Sequence, residues 1–345
     1  MKISKKYFGW LVASLIMLGL AVTMQQQTVQ AEKVTYSVAP IYPENQTNSD
    51  LGYYDLKVTP GLKQEVGLAI QNDGAKPITV DVTPNTAITN DNGLIDYSQN
   101  KVDYDNTLKY PFDELMSGAQ RVTVPAKGSQ NVMFTLTAPS EKFTGEVLGG
   151  FYITQVNKSK VDQSLQHFKG ASLTNQYSYV LGVKLHQTDE TVKPRLRLND
   201  VKAGLHNDHT AILANLQNIR ANSVGEMSVK SEIRKVGQKK ILYHNSRKDL
   251  QMAPNSNFDY AIDLNNTPIK AGRYNIKLKV KSNKGSWILT KDFTITAKEA
   301  NKYNPKAVEL PQTNWWLYGL IGFLILLILI LIWLLLRRKR QAEEE

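Results

Sequence analysis

Cysteine is absent from all 345 residues of the sequence. Its absence excludes a disulfide scaffold, a thiolate metal site and a cysteine nucleophile, and it leaves no cysteine for lipid attachment. The apolar share of 42% is high enough to form hydrophobic cores, so the composition is that of a folded chain. At this length we expect about two domains of ordinary size.

A second absence, that of charge between Trp315 and Leu336, predicts a transmembrane helix. These 22 residues would span about 33 Å as a helix, enough to cross the hydrocarbon core of a bilayer. A helix buried in a protein core is the alternative, but such helices are rarely apolar on all sides over this length. The residues expected at the membrane interface are Trp315, Trp316 and Tyr318 on the outer side and Arg337, Arg338, Lys339 and Arg340 on the cytoplasmic side. Residues 337–345 are then a cytoplasmic tail, and the chain is a single-pass type I membrane protein.

The N-terminus has the layout of a secretory signal peptide. Three lysines precede an apolar stretch at residues 8–24, and residues 29–31 (VQA) fit a small-residue cleavage site. We therefore expect residues 1–31 to be a signal peptide, with an uncleaved membrane anchor as the alternative. Secretion without cysteine favours a Gram-positive surface over an animal one, because animal ectodomains usually carry disulfides.

Residues 310–314 (LPQTN) resemble the LPxTG signal that sortases cleave between Thr and Gly. An apolar run and a basic tail follow, as such a signal requires. The segment departs from the signal because Asn314 replaces glycine and because no spacer separates it from Trp315. We favour the end of a proline-containing stalk as the interpretation, with sortase cleavage as the alternative.

Between these two ends, apolar residues alternate with polar ones, as in strands with one buried and one exposed face. Residues 66–70 and 274–280 are clear examples, and turn sequences such as Asn92-Gly93 separate the strands. Only a short patch near residues 111–118 is helix-like. The pattern predicts an all-β fold class, with two immunoglobulin-like β-sandwich domains followed by a single transmembrane helix.

We place the first sandwich at residues 33–187 and the second at residues 192–297. A polar link at residues 188–194 joins them. Residues 155–176 are poor in apolar side chains and are predicted to form a long loop. Residues 298–314 are predicted to be a stalk.

Motifs for catalysis or nucleotide binding are also lacking: there is no HExxH, GxSxG or P-loop, and no GxGxxG in a strand–turn–helix setting. His206, Asp208 and His209 could hold a metal, but Asn207-Asp208 is better explained as a hairpin turn. Asp91-Asn92-Gly93 resembles part of a calcium loop, but the first loop position would be isoleucine where aspartate is needed, so a tight turn is favoured. We predict no catalytic residue, no metal, no cofactor and no nucleic-acid partner.

Two charged features each allow two interpretations. The first feature is two pairs of acids, Asp103 with Asp105 and Asp113 with Glu114. A glycosidase acting on the wall would need such a pair in a cleft, but acids in a solvated loop have the same appearance in a sequence. Basic residues concentrate at residues 230–248. They either protect a strand edge as an ordinary solvated face, which we favour, or attract anionic wall polymer.

Seven segments carry a resemblance to a known family. In the first domain they are residues 36–46 (YSVAPIYPENQ), 52–66 (GYYDLKVTPGLKQEV), 87–98 (AITNDNGLIDYS) and 145–154 (GEVLGGFYIT). In the second domain they are residues 212–218 (ILANLQN), 252–260 (MAPNSNFDY) and 271–280 (AGRYNIKLKV). These segments, with the NWW at residues 314–316, resemble the WxL-interacting proteins.

The resemblance implies a Gram-positive cell-surface protein with an N-terminal peptidoglycan-binding domain, a C-terminal host-binding domain and WxL-domain surface proteins as partners. We therefore predict a membrane-anchored, non-enzymatic scaffold that binds peptidoglycan and WxL proteins, with its ectodomain outside in the cell wall. An adhesin for a host matrix protein and an enzyme acting on wall polymer are the alternatives. The resemblance assigns no ligand-contacting residue, and residues 252–258 (MAPNSNF) either stabilise a loop or shape a docking surface.

Overall fold

The computed structural model describes residues 35–156, 177–308, 310 and 315–342. The predicted signal peptide therefore lies outside the described residues. So do nearly all of the predicted long loop at residues 155–176 and most of the LPQTN segment. In the last helix, side chains are described for residues 319–333. The side chains predicted to lie at the membrane interface are outside that range.

Ten of the described strands form the first domain. Their bounds are β1 (Tyr36–Ile41), β2 (Tyr54–Lys57), β3 (Lys63–Asn72), β4 (Ile78–Thr86), β5 (Ile88–Thr89), β6 (Ile95–Asp96), β7 (Gln120–Val124), β8 (Ser129–Thr137), β9 (Glu146–Gln155) and β10 (Ser178–His186). One sheet has the order β1-β3-β8 and the other β2-β10-β9-β4-β7, while β5 and β6 pair as a separate hairpin. A short 3-10 helix at Phe112–Leu115 lies within the patch that was expected to be helix-like.

The core of the first domain lies between its two sheets. Leu68 of β3 and Phe134 of β8 come from one sheet, Val80 of β4 and Phe151 of β9 come from the other, and all four are fully buried in one cluster. The rings of Phe134 and Phe151 pack with their centroids 4.8 Å apart. Each such side chain contributes about 1.5–3 kcal/mol by leaving water, which is why the alternating residues face inward.

Seven strands form the second domain. Their bounds are β11 (Leu196–His206), β12 (His209–Asn218), β13 (Val224–Lys235), β14 (Ile241–Met252), β15 (Ser256–Asp263), β16 (Gly272–Ser282) and β17 (Gly285–Ile295). The sheets have the orders β11-β12-β15 and β14-β13-β16-β17. Leu216 and Tyr260 of the first sheet and Val229 and Leu278 of the second are buried in one cluster, so this domain is also a sandwich. The all-β prediction is confirmed.

The two turn predictions are confirmed as well. Asn207 and Asp208 have φ values of 49° and 62°, and His206 pairs with His209 across them. Two successive positive φ angles define the type I′ turn that suits a two-residue hairpin. Gly93, with φ of 70°, closes the turn between β5 and β6.

A helix that the sequence analysis missed follows the second sandwich. Helix α1 (Ala297–Tyr303) begins with a capping box, in which Thr296 Oγ1 accepts from the Glu299 amide at 3.1 Å and the Glu299 carboxylate accepts from the Thr296 amide at 2.7 Å. Ala300 is buried against the sandwich core, and a 3-10 turn at Asn304–Lys306 follows. The first part of the segment predicted as a stalk (298–314) is therefore packed on the second domain.

Helix α2 (Trp315–Ala342) has 28 residues and ends the described chain. All of its described side chains, at residues 319–333, are exposed. Within the part of the chain that the structure describes, no helix meets the combined length and apolarity needed to cross a membrane.

Candidate functional site

Two adjacent glycines of β9 let aromatic rings lie directly on the backbone of a central strand. Gly149 faces the core, where a Cβ would overlap the ring of Phe112. Gly150 faces outward, where a Cβ would lie 3.1 Å from both Tyr97 Cδ1 and the carbonyl oxygen of Leu181. Glycine inside a strand marks such a close approach, so the GG of the GEVLGGFYIT segment has a packing role on each side of the sheet.

Tyr97 is held over the outer side of this sheet by Asn85. The Asn85 side-chain amide donates to the Tyr97 carbonyl oxygen at 2.7 Å, and Asn85 itself is 1% exposed. Burial raises the pKa of Tyr97 to about 12, and the nearby charges of Glu146 and of the Tyr53 hydroxyl group add to this effect. The phenol is therefore neutral at physiological pH, and its ring is a fixed part of the surface.

Around Tyr97 the outer side of the five-stranded sheet carries further tyrosines above small residues. Strand pairing sets Val180 opposite Tyr152 and Gly182 opposite Gly150. Tyr53 and Val180 are 39% and 47% exposed. We call this surface the aromatic face, and it consists of Tyr53, Tyr97, Tyr152, Val180, Gly150 and Gly182. Tyrosine rings offer an apolar plane and a hydroxyl at once, which suits the C–H faces and hydroxyls of a sugar polymer.

The aromatic face ends at a charged cleft between the two domains. Lys184 and His186 follow Gly182 on the same side of β10, because alternate residues of a strand share a face. Lys184 Nζ lies 2.6 Å from Asp55 Oδ2, and His186 Nε2 lies 3.2 Å from Asp55 Oδ1. The cleft has a volume of about 330 Å³, and its opposite wall includes Asn222 of the second domain. We call it the joint cleft.

The hairpin of β5 and β6 connects the first domain to the second. Thr89 Oγ1 lies 2.5 Å from Ser256 Oγ and accepts from the Ala253 amide at 3.0 Å. At the tip of the hairpin, the Gly93 carbonyl accepts from the Gln251 amide at 2.7 Å. The segments AITNDNGLIDYS and MAPNSNFDY, more than 150 residues apart in sequence, therefore meet.

This contact explains the MAPNSNF segment, for which two interpretations were open. Asn255 has a φ of 47° in the turn between β14 and β15, and its side-chain amide donates to Thr107 Oγ1 of the first domain at 3.1 Å. Ser256 Oγ donates to the Ala253 carbonyl at 2.8 Å. The segment both stabilises its own loop and docks, and the surface on which it docks is the other domain of the same chain.

We call the set of contacts between the two domains the joint. Asp105 accepts several of its hydrogen bonds. It accepts from the side-chain amide of Asn257 at 2.6 Å, from that of Gln217 at 2.8 and 2.9 Å, and from Thr107. Burial alone would raise the pKa of Asp105, but the hydrogen bonds from Thr107, Asn257 and Gln217 outweigh burial and lower it. Asp105 was one of the candidate acids in the sequence, and here it serves as an anionic acceptor between domains.

A glycine completes the joint next to the cleft. Gly145 has a φ of 85°, and a Cβ there would overlap the Ala221 carbonyl oxygen. The Glu146 amide donates to that same oxygen at 2.8 Å, and the Glu146 carboxylate accepts from the Ser223 amide. Only a residue without a side chain lets β9 start this close to the second domain.

The remaining candidates from the sequence form no reactive cluster. His206 Nδ1 lies 3.4 Å from Asp263 Oδ1 at the hairpin turn. No group of three or more His, Asp or Glu side chains could hold a metal ion among the residues that the structure describes. Asp113 Oδ1 accepts from Tyr104 at 2.7 Å and from Thr86, so it ties a loop to β4.

The two sandwiches, their hydrogen-bonded joint and the aromatic face define the class of a two-domain β-sandwich binding protein. The chain belongs to the WxL Interacting Protein family: the model of its peptidoglycan binding domain matches residues 36–155, and that of its host binding domain matches residues 168–305. The resemblance seen in the sequence is confirmed. The order of the two domains is confirmed with it, and both matched domains are binding domains of a cell-surface protein.

Curated proteins give no match to this sequence. Among solved structures the chain is similar to the CupB2 chaperone of Pseudomonas aeruginosa, with 14% identity over 67% of this chain and 92% of that one and a TM-score of 0.27. It is also similar to the class 5 fimbriae chaperone CfaA, with 13% identity over 74% and 98% of the two chains and a TM-score of 0.30. TM-scores this low establish neither a shared fold nor a shared function.

Proposed function

We propose that this protein is a membrane-anchored, non-enzymatic scaffold that binds peptidoglycan and WxL-domain surface proteins outside the cell. The observation that carries the proposal is the position of the aromatic face. Its three tyrosines, Tyr53, Tyr97 and Tyr152, all lie within the residues matched by the peptidoglycan binding domain. A surface suited to sugar rings thus occurs in the domain whose family model is named for a sugar polymer.

The joint cleft supports the same ligand. Peptidoglycan carries its sugar rings beside peptide branches with charged ends. The aromatic face likewise leads into a cleft with the Asp55 carboxylate and the Lys184 ammonium group 2.6 Å apart. His186 Nε2 lies 3.2 Å from Asp55 Oδ1, so three polar side chains stand together on this wall of the cleft.

Membrane anchoring and secretion are supported by the sequence. Residues 315–336 carry no charge and are followed directly by four basic residues. The described side chains of α2, at residues 319–333, are exposed and apolar apart from two glycines, which supports a lipid environment for this segment. The signal-peptide pattern at residues 1–31 supports an extracellular position for the two sandwiches. Sortase cleavage at residues 310–314 is the alternative mode of attachment.

The name of the family supports a WxL protein as partner. Adhesion to a host matrix protein is a second candidate function, and the match of the host binding domain to residues 168–305 favours it. In both cases the protein holds another macromolecule at the surface without turning it over.

Co-sedimentation with purified sacculi tests the proposal. The full-length chain, in a non-ionic detergent and at high salt, is compared with a Tyr53→Ala/Tyr152→Ala variant. The loss of two ring contacts of about 1 kcal/mol each predicts roughly 30-fold weaker pelleting. Met133→Ala is the control, because Met133 is 43% exposed on the opposite sheet of the same domain.

Equal pelleting of the double variant and the wild type would contradict the role of the aromatic face. Pelleting only after a WxL protein is added would mean that the chain reaches the wall through its partner. Release of soluble fragments from the sacculi would contradict the non-enzymatic assignment. Recovery of the protein from cells without detergent would contradict the membrane anchor.

A further inference from the structure

The outer face of the four-stranded sheet in the second domain has an excess of positive charge. Its apolar residues, such as Ile276 and Leu278 of β16, point into the core, and the alternate residues point outward. We call the outward cationic set the basic face, and it consists of Lys230, Arg234, Arg273, Lys277, Lys279 and Lys281. Two acids, Glu232 and Asp292, share this surface with the six cations.

Protection of a sheet edge does not explain these charges. The sheet order is β14-β13-β16-β17, so β13 and β16, which carry the basic face, are its two central strands. Charged side chains guard a sheet against unwanted pairing when they lie on an edge strand. The 230–248 stretch does provide a solvated strand face, and its second half lies on the edge strand β14. The edge-protecting role fails for Lys230 and Arg234, which lie on the central strand β13.

The arrangement of the charges also works against the fold. Lys230 lies directly opposite Lys279, and like charges in a cross-strand pair are destabilising. Glu232 is already engaged by Arg234 at 2.6 Å and by Lys279 at 3.4 Å. Asp292 accepts from the Asn275 side-chain amide at 2.6 Å.

Four cations of the face form no salt bridge with any residue that the structure describes: Lys230, Arg273, Lys277 and Lys281. Of these, Lys277 lies opposite Glu232 across the sheet. Folding therefore leaves an excess of positive charge on this face, and a bound anion would reduce the repulsion among its cations.

We propose that the basic face binds a linear phosphodiester polymer of the wall, of which poly(glycerol phosphate) is the simplest example. Lys277, Lys279 and Lys281 repeat along β16 at a spacing of about 7 Å. Successive phosphates of such a polymer are separated by one three-carbon unit, which is a comparable distance. The choice of a wall polymer over another polyanion rests on the proposed function, which places this domain in the cell wall.

The test measures binding of the full-length chain, in a non-ionic detergent, to immobilised poly(glycerol phosphate) at 0.15 M salt. The variant changes Lys230, Lys277, Lys279 and Lys281 to glutamine. Its matched control changes the same number of exposed lysines off the face, namely Lys63, Lys76, Lys142 and Lys193. Both variants have the same net charge, so a difference between them reports the position of the charges.

We expect the basic-face variant to bind about tenfold more weakly and the control to bind within about twofold of the wild type, with binding lost near 1 M salt. The basic-face variant should melt at about the same temperature as the wild type, because removal of the Lys230–Lys279 repulsion offsets the loss of the Lys279–Glu232 contact. Equal weakening in both variants would overturn the proposal by showing an effect of net charge alone. Undiminished binding by the basic-face variant would overturn it as well.

Two further experiments are needed. One distinguishes a phosphodiester polymer from other polyanions, and the other distinguishes the role of the basic face from that of the aromatic face. Binding of a sulfated glycan with no binding of poly(glycerol phosphate) would overturn the assigned polymer. On sacculi stripped of phosphodiester polymer, the basic-face variant should pellet like the wild type, whereas the Tyr53→Ala/Tyr152→Ala variant should not. Loss of pelleting by the basic-face variant on stripped sacculi would also contradict a phosphodiester ligand.

Discussion

Asp105 is one of several groups that hold the two domains together, and Asp105→Ala tests its contribution to the joint. Asp105 receives two donors from the second domain, the side-chain amides of Gln217 and Asn257. Truncation to alanine removes both contacts. The side-chain amides of Gln217 and Asn257 then lack their anionic acceptor. The substitution leaves both hydrophobic cores intact, so its effect should be confined to the joint.

The size of the effect follows from the number of donors. A hydrogen bond to a charged group contributes about 1.5–3 kcal/mol when it is well shielded from water. Asp105 is only partly buried, so solvent screening reduces each contribution. We expect a loss of about 1–3 kcal/mol from the free energy of opening the joint. Local amide exchange should then speed up by about 5- to 150-fold.

Hydrogen exchange measured by mass spectrometry is the assay, because two joint amides report directly on opening. The Gln251 amide donates to Gly93 and the Ala253 amide donates to Thr89, both across the joint. These amides should exchange faster in Asp105→Ala, while the central strand β16 should be unchanged. Unaltered exchange at residues 251–253 would refute the reasoning, as would equal acceleration throughout both domains.

The pH dependence gives an independent check on the same carboxylate. The pKa of Asp105 is lowered in the folded protein, so its stabilising effect is complete above the ordinary aspartate value of about 3.9. That stabilisation is lost as the pH falls through the lowered folded-state pKa. Protection at residues 251–253 should therefore be constant from neutral pH to about pH 4 and decline below it. In Asp105→Asn this decline should be absent, and its persistence there would implicate another group.

Three further substitutions test the packing. Gly145→Ala should open the joint, because a positive φ costs alanine about 1–2 kcal/mol and the new Cβ would overlap Ala221. Amide exchange at residues 251–253 measures the opening, and a wild-type exchange rate would contradict the prediction. Gly149→Ala should lower the free energy of unfolding by about 1–3 kcal/mol, because the new Cβ overpacks against Phe112. The urea midpoint should fall, and an unchanged midpoint would mean that the ring moves aside without loss of stability. Asn218→Ala should lower the free energy of unfolding by about 3 kcal/mol, because the fully buried side-chain amide donates to two carbonyls that would lose their donor. A loss below about 1 kcal/mol in urea unfolding would contradict this role.

Local patterns in the sequence were sufficient for the class of fold. Alternation at Val66, Leu68 and Ile70 predicted a strand with one buried face, and all three side chains are buried in β3. The Asn207-Asp208 pair predicted a tight hairpin, since few residue types tolerate two positive φ angles in succession. Helix α1 could also have been predicted, because Thr296 and Glu299 have the spacing of a capping box, but the segment was taken for a stalk.

The aromatic face and the joint could not be obtained in this way. The face combines residues of β9 and β10 with two tyrosines outside the strands, Tyr53 just before β2 and Tyr97 just after β6. The strand order β2-β10-β9 is not the order of the chain. The sequence shows that Gly149 and Gly150 are adjacent, but it does not show which ring lies on each side. Asp105 and Asn257 are 152 residues apart and are joined by a hydrogen bond that no local pattern predicts.

The sequence by itself therefore determined the β-sandwich class, the turns and the family, because each depends on the order of neighbouring residues. Tertiary structure alone decided which segments meet, that the MAPNSNF turn docks on the first domain, and that Lys230 lies on a central strand and not on an edge. The physical reason is that strand pairing and domain packing are long-range contacts. Which strands and loops pair is decided only when the whole chain folds and its two hydrophobic cores form.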